Sequence, residues 1–147
     1  MYMLPTLDPA TGYLPPGVHT ATWAEIAGSF STNSHRARQL VGLLSALKNL
    51  TAAGCSSFFL DGSFVSQKPL PGDYDAAWNP IGVDPNVLDP VLLDFTNHRA
   101  AMKAKYGGEF FPASWPAAPG IMFIDFFQRD RNGVSKGIIS IDLGSLP

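Results

Sequence analysis

The sequence contains few of the features that would link it to several large classes of protein. Its single cysteine among 147 residues excludes an internal disulfide and fits a reducing compartment. Its apolar runs are far shorter than the ~18 residues that a membrane-spanning helix needs. Residues 1–8 lack the cationic and apolar regions of a secretory signal. We therefore expect a cytoplasmic protein with no membrane segment.

Positive charge is scarce as well. Ten lysines and arginines stand against twelve acidic residues, which gives a net charge of −2. Proteins that grip nucleic acid neutralise phosphates with clustered cations, so this balance argues against a nucleic-acid partner. The three histidines lack the spacing of zinc ligands, both among themselves and relative to Cys55. The sequence also has no Gly-x-Ser-x-Gly motif, which argues against Ser63 as the nucleophile of a hydrolase.

What the sequence does contain is typical of one folded domain. Hydrophobic residues make up 46% of the chain, and 147 residues correspond to about one domain. Glycine and proline number 14 and 13, a share below the ~25–30% of low-complexity chains. Four of the prolines fall in residues 1–19, where the apolar residues show no period. We therefore predict an extended, proline-rich leader over 1–19 and a single domain over 20–147.

Helix signals are clearest in the first half of the domain. Thr22 and Glu25 have the spacing of a capping box, which predicts a short helix. Ser34 is a candidate N-cap for a longer helix over 35–53, and Gly54 follows as its stop. The leucines of that segment recur at steps of three and four residues, which gives the helix one buried face.

Strand signals dominate the remainder. Short apolar or alternating segments predict strands over 55–61, 73–78, 121–128 and 136–143. The pair Asn132-Gly133 predicts a hairpin between the last two, and a further helix is expected over 97–106. This order of elements predicts an α+β fold: a mixed, mostly antiparallel sheet of about four strands, with helices packed on one face.

One stretch carries residues suited to chemistry on phosphates. Asp73 and Asp75 alternate on a predicted strand, so their carboxylates point to one sheet face, about 6.5–7 Å apart. Carboxylates placed in this way bind hard cations such as Mg²⁺ together with substrate phosphates. Gly62 and Ser63 follow the preceding strand, where backbone amides can hold phosphate oxygens. The pattern predicts a phosphate cradle beside a metal site, as phosphoryl or nucleotidyl transfer requires.

The Gly-Ser pair, the spacer and the Asp-x-Asp pair together resemble the motif of the nucleotidyltransferase superfamily, with its DNA polymerase beta-like and antitoxin members. Nearly the whole chain also resembles a family of small bacterial and phage proteins placed in that superfamily, through the stretches YLPPGVH, LDGSFVSQKPLPGDYDAAW, LDPVLLDF, MKAKYGGEFFPA and FFQRDRNGVSKGI. The resemblance implies a nucleotidyltransferase-like fold and transfer of a nucleoside monophosphate from an NTP. It further implies Mg²⁺ or Mn²⁺ as the cofactor and ATP as the expected co-substrate.

The resemblance also assigns roles to residues. It implies that Asp73 and Asp75 are catalytic metal ligands and that Gly62 and Ser63 bind the nucleotide phosphates, with Lys68 as the nearest cation to assist them.

Members of the superfamily usually add a third carboxylate from a neighbouring strand. Asp125, at the centre of the apolar segment 121–127, is the candidate for this catalytic residue and metal ligand. An acid among large apolar residues is costly unless it is paired or metal-bound, which supports that role. Asp142, on the last predicted strand, is the alternative.

The sequence leaves the acceptor and the activity open. A protein hydroxyl, as in antitoxins that adenylylate a partner protein, or a small molecule fits this short acidic chain better than tRNA does. The arginine that antitoxin-type enzymes usually carry shortly after Gly-Ser is missing, since Phe64 and Val65 follow. The alternative is therefore a catalytically inactive module of the same fold that binds or regulates a partner. The oligomeric state has no signature in the sequence.

Overall fold

A five-stranded mixed sheet forms the centre of the protein, whose computed structural model describes residues 3–147. The sheet consists of β1 (Gly17–Ala21), β2 (Phe58–Asp61), β3 (Tyr74–Trp78), β4 (Gly108–Pro112) and β7 (Gly137–Ile141). A small hairpin consists of β5 (Pro116–Ala118) and β6 (Ile121–Met122). The helices are α1 (Trp23–Phe30), α2 (Ser34–Ala52), α3 (Thr96–Tyr106) and α4 (Phe123–Phe126), with 3₁₀ turns at Pro90–Leu93 and Leu143–Ser145.

The sheet has the strand order β1–β7–β2–β3–β4. β2 is antiparallel to both β3 and β7, whereas β1 runs parallel to β7 and β4 runs parallel to β3. The predicted α+β class is confirmed, but the sheet has five strands rather than four, and half of its pairings are parallel. The two edge strands account for the difference. Each is short and begins with glycine, and β4 also ends in proline, so neither shows a clear strand pattern in the sequence.

The first two helices begin where the sequence predicts. Thr22 and Glu25 form a complete capping box at the start of α1. α2 is the predicted long helix, although the side chain that caps it belongs to Asn33, which accepts a hydrogen bond from the Arg36 amide. The buried leucines of α2, among them Leu43 and Leu47, face the sheet, as their spacing predicts.

Both faces of the sheet are covered by helices, which differs from the prediction of helices on one face. The main core lies between the sheet and α1, α2 and α3. On the opposite face, Ala77 of β3, Ile138 of β7 and Phe127 form a second, smaller core beneath α4. This second core covers only part of its face, and the functional residues described below lie on the same face.

The predicted strand over 121–128 is wrong, because only Ile121–Met122 is extended and α4 begins at Phe123. Phe123 and Phe127 lie four residues apart, so one helical turn brings both onto the second core. The Phe123 ring stacks on Phe111 of β4, with the ring centres 4.2 Å apart. A short apolar run fits either a strand or a helical turn, and here packing on β4 favours the turn.

None of the helices in residues 3–147 combines the length and the hydrophobicity needed to cross a membrane.

Candidate functional site

Three carboxylates lie in a row across three adjacent strands. Asp61, at the end of β2, pairs directly with Asp75 of β3, and Asp75 pairs directly with Glu109 of β4. Residues paired in this way point to the same face of a sheet, and neighbouring strands lie about 4.8 Å apart. We refer to Asp61, Asp75 and Glu109 as the carboxylate row.

Burial and repulsion between the carboxylates disfavour ionisation of Asp75, the central residue of the carboxylate row. Burial raises the pKa of Asp75 to about 7, and the negative charges of Asp61 and Glu109 contribute to the shift, while Lys136 opposes it. Burial also raises the pKa of Asp61, against the opposing effect of Lys136. Carboxylates gathered in this way are stabilised by a proton or by a bound cation.

Cations hold the two ends of the carboxylate row but not its centre. The Lys136 Nζ atom lies 3.0 Å from Asp61 Oδ1, and the Lys103 Nζ atom lies 2.9 Å from Glu109 Oε1. Within residues 3–147, Asp75 forms no ion pair. The central carboxylate is therefore the one that lacks a positive partner.

A left-handed turn places a second cation on Glu109. Asn97, His98 and Arg99 have φ angles of 51°, 54° and 63°, in a region that costs a non-glycine residue ~1–2 kcal/mol. The turn brings Arg99 Nε to 3.5 Å from Glu109 Oε2 and its guanidinium carbon to 5.4 Å from the centre of the Phe111 ring. Backbone strain of this kind is often found at functional sites.

The structure brings together only some of the acids that the sequence singles out. Asp73 precedes β3 and is exposed, and its charge contributes to raising the pKa of Asp75. Asp125 lies on α4 and is exposed. Because residues 123–126 are helical, Asp125 is not on a strand next to β3, where the sequence predicts it. Asp142 follows β7 and caps the last 3₁₀ turn, at the end of the sheet opposite to Asp61. In the position expected of Asp125, on the strand next to β3, the structure has Glu109.

Sequence reasoning missed Asp61 and Glu109 as site residues. Asp61 stands directly before the Gly-Ser pair, and that adjacency is the signal that could have identified it. Glu109 follows Gly107-Gly108, a pattern that indicates the end of a helix rather than the start of a strand. Its place opposite Asp75 depends on pairing between distant segments, which no local pattern encodes.

Glycine is required where the chain leaves the carboxylate row. Gly62 has a φ angle of 92°, which favours glycine. A Cβ atom at this position would lie 3.0 Å from the Asp75 amide nitrogen and 3.2 Å from Asp75 Oδ2. The backbone at Gly62 therefore passes so close to Asp75 that it leaves little room for a side chain.

A cavity of about 380 Å³ opens beside this glycine. The three predicted phosphate-binding residues, Gly62, Ser63 and Lys68, all line it, together with Lys136 and Tyr13. We refer to this space as the Gly-Ser cavity. Since Lys136 also contacts Asp61, the cavity adjoins the carboxylate row.

A buried arginine holds the loop that forms the floor of this region. Arg36, on α2, is 2% exposed, and its guanidinium donates to the carbonyl oxygens of Phe64 and Ser66, each at 2.8 Å, and of Lys68 at 2.6 and 3.1 Å. Burial lowers the pKa of Arg36. No carboxylate in the described part of the chain pairs with it. Arg36 therefore holds the loop after Gly-Ser, and because its donors are engaged by carbonyl oxygens it does not replace the phosphate-binding arginine that the sequence lacks there.

The carboxylates of the row are the type of ligand that binds a hard divalent cation, but in this structure they are not close enough together to form a metal site. Carboxylate oxygens are the ligands that Mg²⁺ prefers, and a positive charge would stabilise the ionised form of the half-buried Asp75, which has no ion-pair partner in the described residues. Across residues 3–147, no three His, Cys, Asp or Glu side chains stand close enough to hold a metal ion. Binding would require Asp75 to be joined by a neighbour, and lysines hold Asp61 and Glu109.

Comparison with known proteins places the chain in a family but assigns it no activity. The chain belongs to DUF6932, a family of unknown function, whose model matches residues 5–142. No curated protein and no solved structure matches the chain.

Proposed function

We propose that this DUF6932 protein is a metal-dependent nucleotidyltransferase of the cytoplasm, with a nucleotidyltransferase-like fold. It would transfer a nucleoside monophosphate from an NTP, with ATP as the expected donor, to a hydroxyl of a protein or a small molecule. The observation that carries the proposal is the contact between the carboxylate row and the Gly-Ser cavity at Gly62. The proposal is supported by this proximity, since carboxylates are ligands for hard cations and the backbone amides of a glycine turn can bind phosphate.

The chain's own residues divide into two groups in this proposal. Asp73 and Asp75 would hold Mg²⁺ or Mn²⁺, and Asp61 and Glu109, which flank Asp75 in the carboxylate row, would supply the further carboxylate expected of Asp125. Gly62, Ser63 and Lys68 would bind the phosphates in the Gly-Ser cavity. The metal, when bound, supplies charge stabilisation for the attacking and leaving oxygens.

The proposed transfer forms one bond, breaks one bond and releases one proton. The acceptor's hydroxyl oxygen forms a bond to the α-phosphorus of the NTP, and the bond to the bridging oxygen of pyrophosphate breaks. The hydroxyl proton passes to a carboxylate or to water. The chain's part is to orient the triphosphate and to offer ionised carboxylates, and the raised pKa of Asp75 means that this ionisation requires a pH near or above neutrality or a bound metal.

The ion pairs at both ends of the carboxylate row favour a second candidate, an inactive module that binds or regulates a partner. Lys136 and Lys103 already neutralise Asp61 and Glu109, as structural ion pairs would. In that case the carboxylate row would stabilise the fold rather than hold a metal.

Labelling with each α-³²P NTP separates the two candidates. The protein is incubated with Mg²⁺ or Mn²⁺, with and without proteins encoded by neighbouring genes and small hydroxyl compounds. We expect transfer of label by the wild type, loss of transfer in Asp75→Asn, and normal transfer in Asp125→Asn, a matched control because Asp125 is exposed on α4. Absence of label with all four NTPs would favour the inactive module, and equal labelling by both variants would remove the carboxylate row from the proposal.

A further inference from the structure

Within residues 3–147, Lys136 is the one lysine that both pairs with a member of the carboxylate row and lines the Gly-Ser cavity. It stands directly before β7, and its side chain is only 14% exposed. Its Nζ atom lies 3.0 Å from Asp61 Oδ1, and the same side chain lines the Gly-Ser cavity. A single ammonium group is thus within reach of a carboxylate that could hold a metal and of a space that could hold phosphates.

The contact with Asp61 is close but poorly aligned. Asp61 Oδ1 is buried, and the Lys136 ammonium lies 3.0 Å from it without the alignment of a good hydrogen bond, although the lysine still opposes the rise in the pKa of Asp61 that burial causes. A lysine ammonium sits on a flexible four-carbon stem and can turn between neighbouring acceptors. The pair is therefore suited to exchange, unlike the fixed guanidinium bonds of Arg36.

The surroundings of Lys136 leave it few other directions. The Tyr13 ring centre lies 5.8 Å from its Nζ atom, and the Tyr13 hydroxyl donates to Asp130 Oδ2 at 3.0 Å. Asp130 is itself engaged by the turn that precedes β7, because its Oδ1 accepts from the amides of Asn132 and Val134. Tyr13 and this turn flank the lysine. These amide hydrogen bonds and, to a lesser extent, the charge of Lys136 lower the pKa of Asp130, while Asp61 is the carboxylate with which Lys136 forms an ion pair.

The charges of bound ligands would determine whether Lys136 pairs with Asp61 or turns toward the Gly-Ser cavity. Asp61 and Asp75 face each other across β2 and β3, and Lys136 offsets their repulsion. A divalent cation bound by those carboxylates would repel the ammonium, whereas a triphosphate in the cavity would attract it. The two ligands therefore act on Lys136 in the same direction.

We propose that Lys136 is an exchangeable cation: it pairs with Asp61, as in this structure, and moves onto the triphosphate when metal and nucleotide bind. This inference rests on the proposed function. It predicts that Lys136 opposes the binding of metal alone and supports the binding of triphosphate. The two ligands then favour each other's binding, and the coupling is reciprocal.

The test measures the binding affinities for Mn²⁺ and for inorganic tripolyphosphate separately, each by titration calorimetry, so that the result does not depend on catalytic turnover. Lys136→Met keeps the apolar stem and removes the charge. Lys68→Met is the matched control, because Lys68 lines the same cavity but is exposed and makes no ion pair in the described chain. A double variant, Asp61→Asn with Lys136→Met, guards against misfolding, because it leaves no buried unpaired acid at position 61.

We expect one substitution to change the two affinities in opposite directions. Lys136→Met should bind Mn²⁺ at least about 5-fold more tightly and tripolyphosphate at least about 5-fold more weakly, in the usual range of coupling between sites. Lys68→Met should weaken tripolyphosphate binding and leave Mn²⁺ binding unchanged. In the double variant, tripolyphosphate should bind as weakly as in Lys136→Met.

The outcomes separate this inference from the proposed function. If Mn²⁺ binds the wild type and Lys136→Met equally well or the variant less well, the exchange of Lys136 is wrong while the metal site stands. Unchanged tripolyphosphate binding in both Lys136 variants also overturns it. If Mn²⁺ binds neither the wild type nor any variant, the proposed function fails and the exchange fails with it.

Discussion

The bonds that Arg36 makes to the loop 64–68 give a prediction whose size can be worked out from the structure. Arg36→Met keeps the length of the side chain but removes every donor of the guanidinium. The carbonyl oxygens of Phe64 and Ser66 accept from Arg36 in buried bonds. A buried acceptor left without a donor costs about 1–3 kcal/mol, so the two together cost about 2–6 kcal/mol.

Part of that loss is recovered, because the variant no longer buries a charge. We therefore expect the free energy of unfolding to fall by about 3 kcal/mol. A domain of this size loses about 2–4 °C of melting temperature per kcal/mol, which gives a drop of roughly 6–12 °C. Arg36→Lys should lose less, since an ammonium can still donate to some of the carbonyls but cannot reproduce the planar fork.

Urea unfolding curves measure this loss directly, and Arg38→Met is the matched control. Arg38 lies on the same helix, is exposed, and forms no ion pair or side-chain hydrogen bond within residues 3–147. Its substitution should change the unfolding free energy by no more than about 0.5 kcal/mol. Equal urea midpoints for Arg36→Met and Arg38→Met would show that the carbonyl bonds do not hold the loop.

Three further predictions concern the carboxylate row and the turn beside it. The folded-state pKa of Asp75 is raised from 3.8 to about 7, so the stability of the metal-free protein should fall as pH rises from about 4 to about 7. Urea midpoints at several pH values in this range should show that slope in the wild type, and Asp75→Asn should flatten it. Gly62→Ala and Gly133→Ala both place alanine at a positive φ, of 92° and 79°, but only the former presses a Cβ atom to 3.0 Å from the Asp75 amide. Thermal unfolding should therefore show about 1–3 kcal/mol more loss for Gly62→Ala, and equal losses would contradict the close contact. Millimolar Mn²⁺ should raise the melting temperature of the wild type and of Asp125→Asn but not that of Asp75→Asn, and equal rises in all three would place the metal elsewhere.

Local chemistry explains which parts of the fold the sequence predicts. The capping box of α1 and the leucine spacing of α2 act over a few residues, so they are visible without the structure. Gly62 and Asp75 were predicted as neighbours from their motif, and the structure places them in contact.

The rest depends on contacts between distant segments. Glu109 joins the carboxylate row only because β4 pairs with β3, and nothing near Glu109 in the sequence indicates that register. Asp125 lies in an apolar run that is compatible with either a strand or a helical turn, and stacking of Phe123 on Phe111 decides the matter. The arginine that holds the loop comes from 28 residues upstream of Phe64, outside the reach of any motif.

The position of β7 in the sheet has a consequence for how the chain folds during synthesis. Among the strands of residues 3–147, β7 is the latest in sequence order, yet it lies between β1 and β2 and joins them. Until residues 137–141 emerge, β1 has no partner, and β2 lacks one of its two neighbours. We therefore expect the nascent chain to stay sensitive to protease until residues 137–141 have left the ribosome, and resistance in stalled chains that lack these residues would contradict this order of events. Assembly of the whole sheet, and with it the pairing of Lys136 with Asp61, would then be a late event in the life of each molecule.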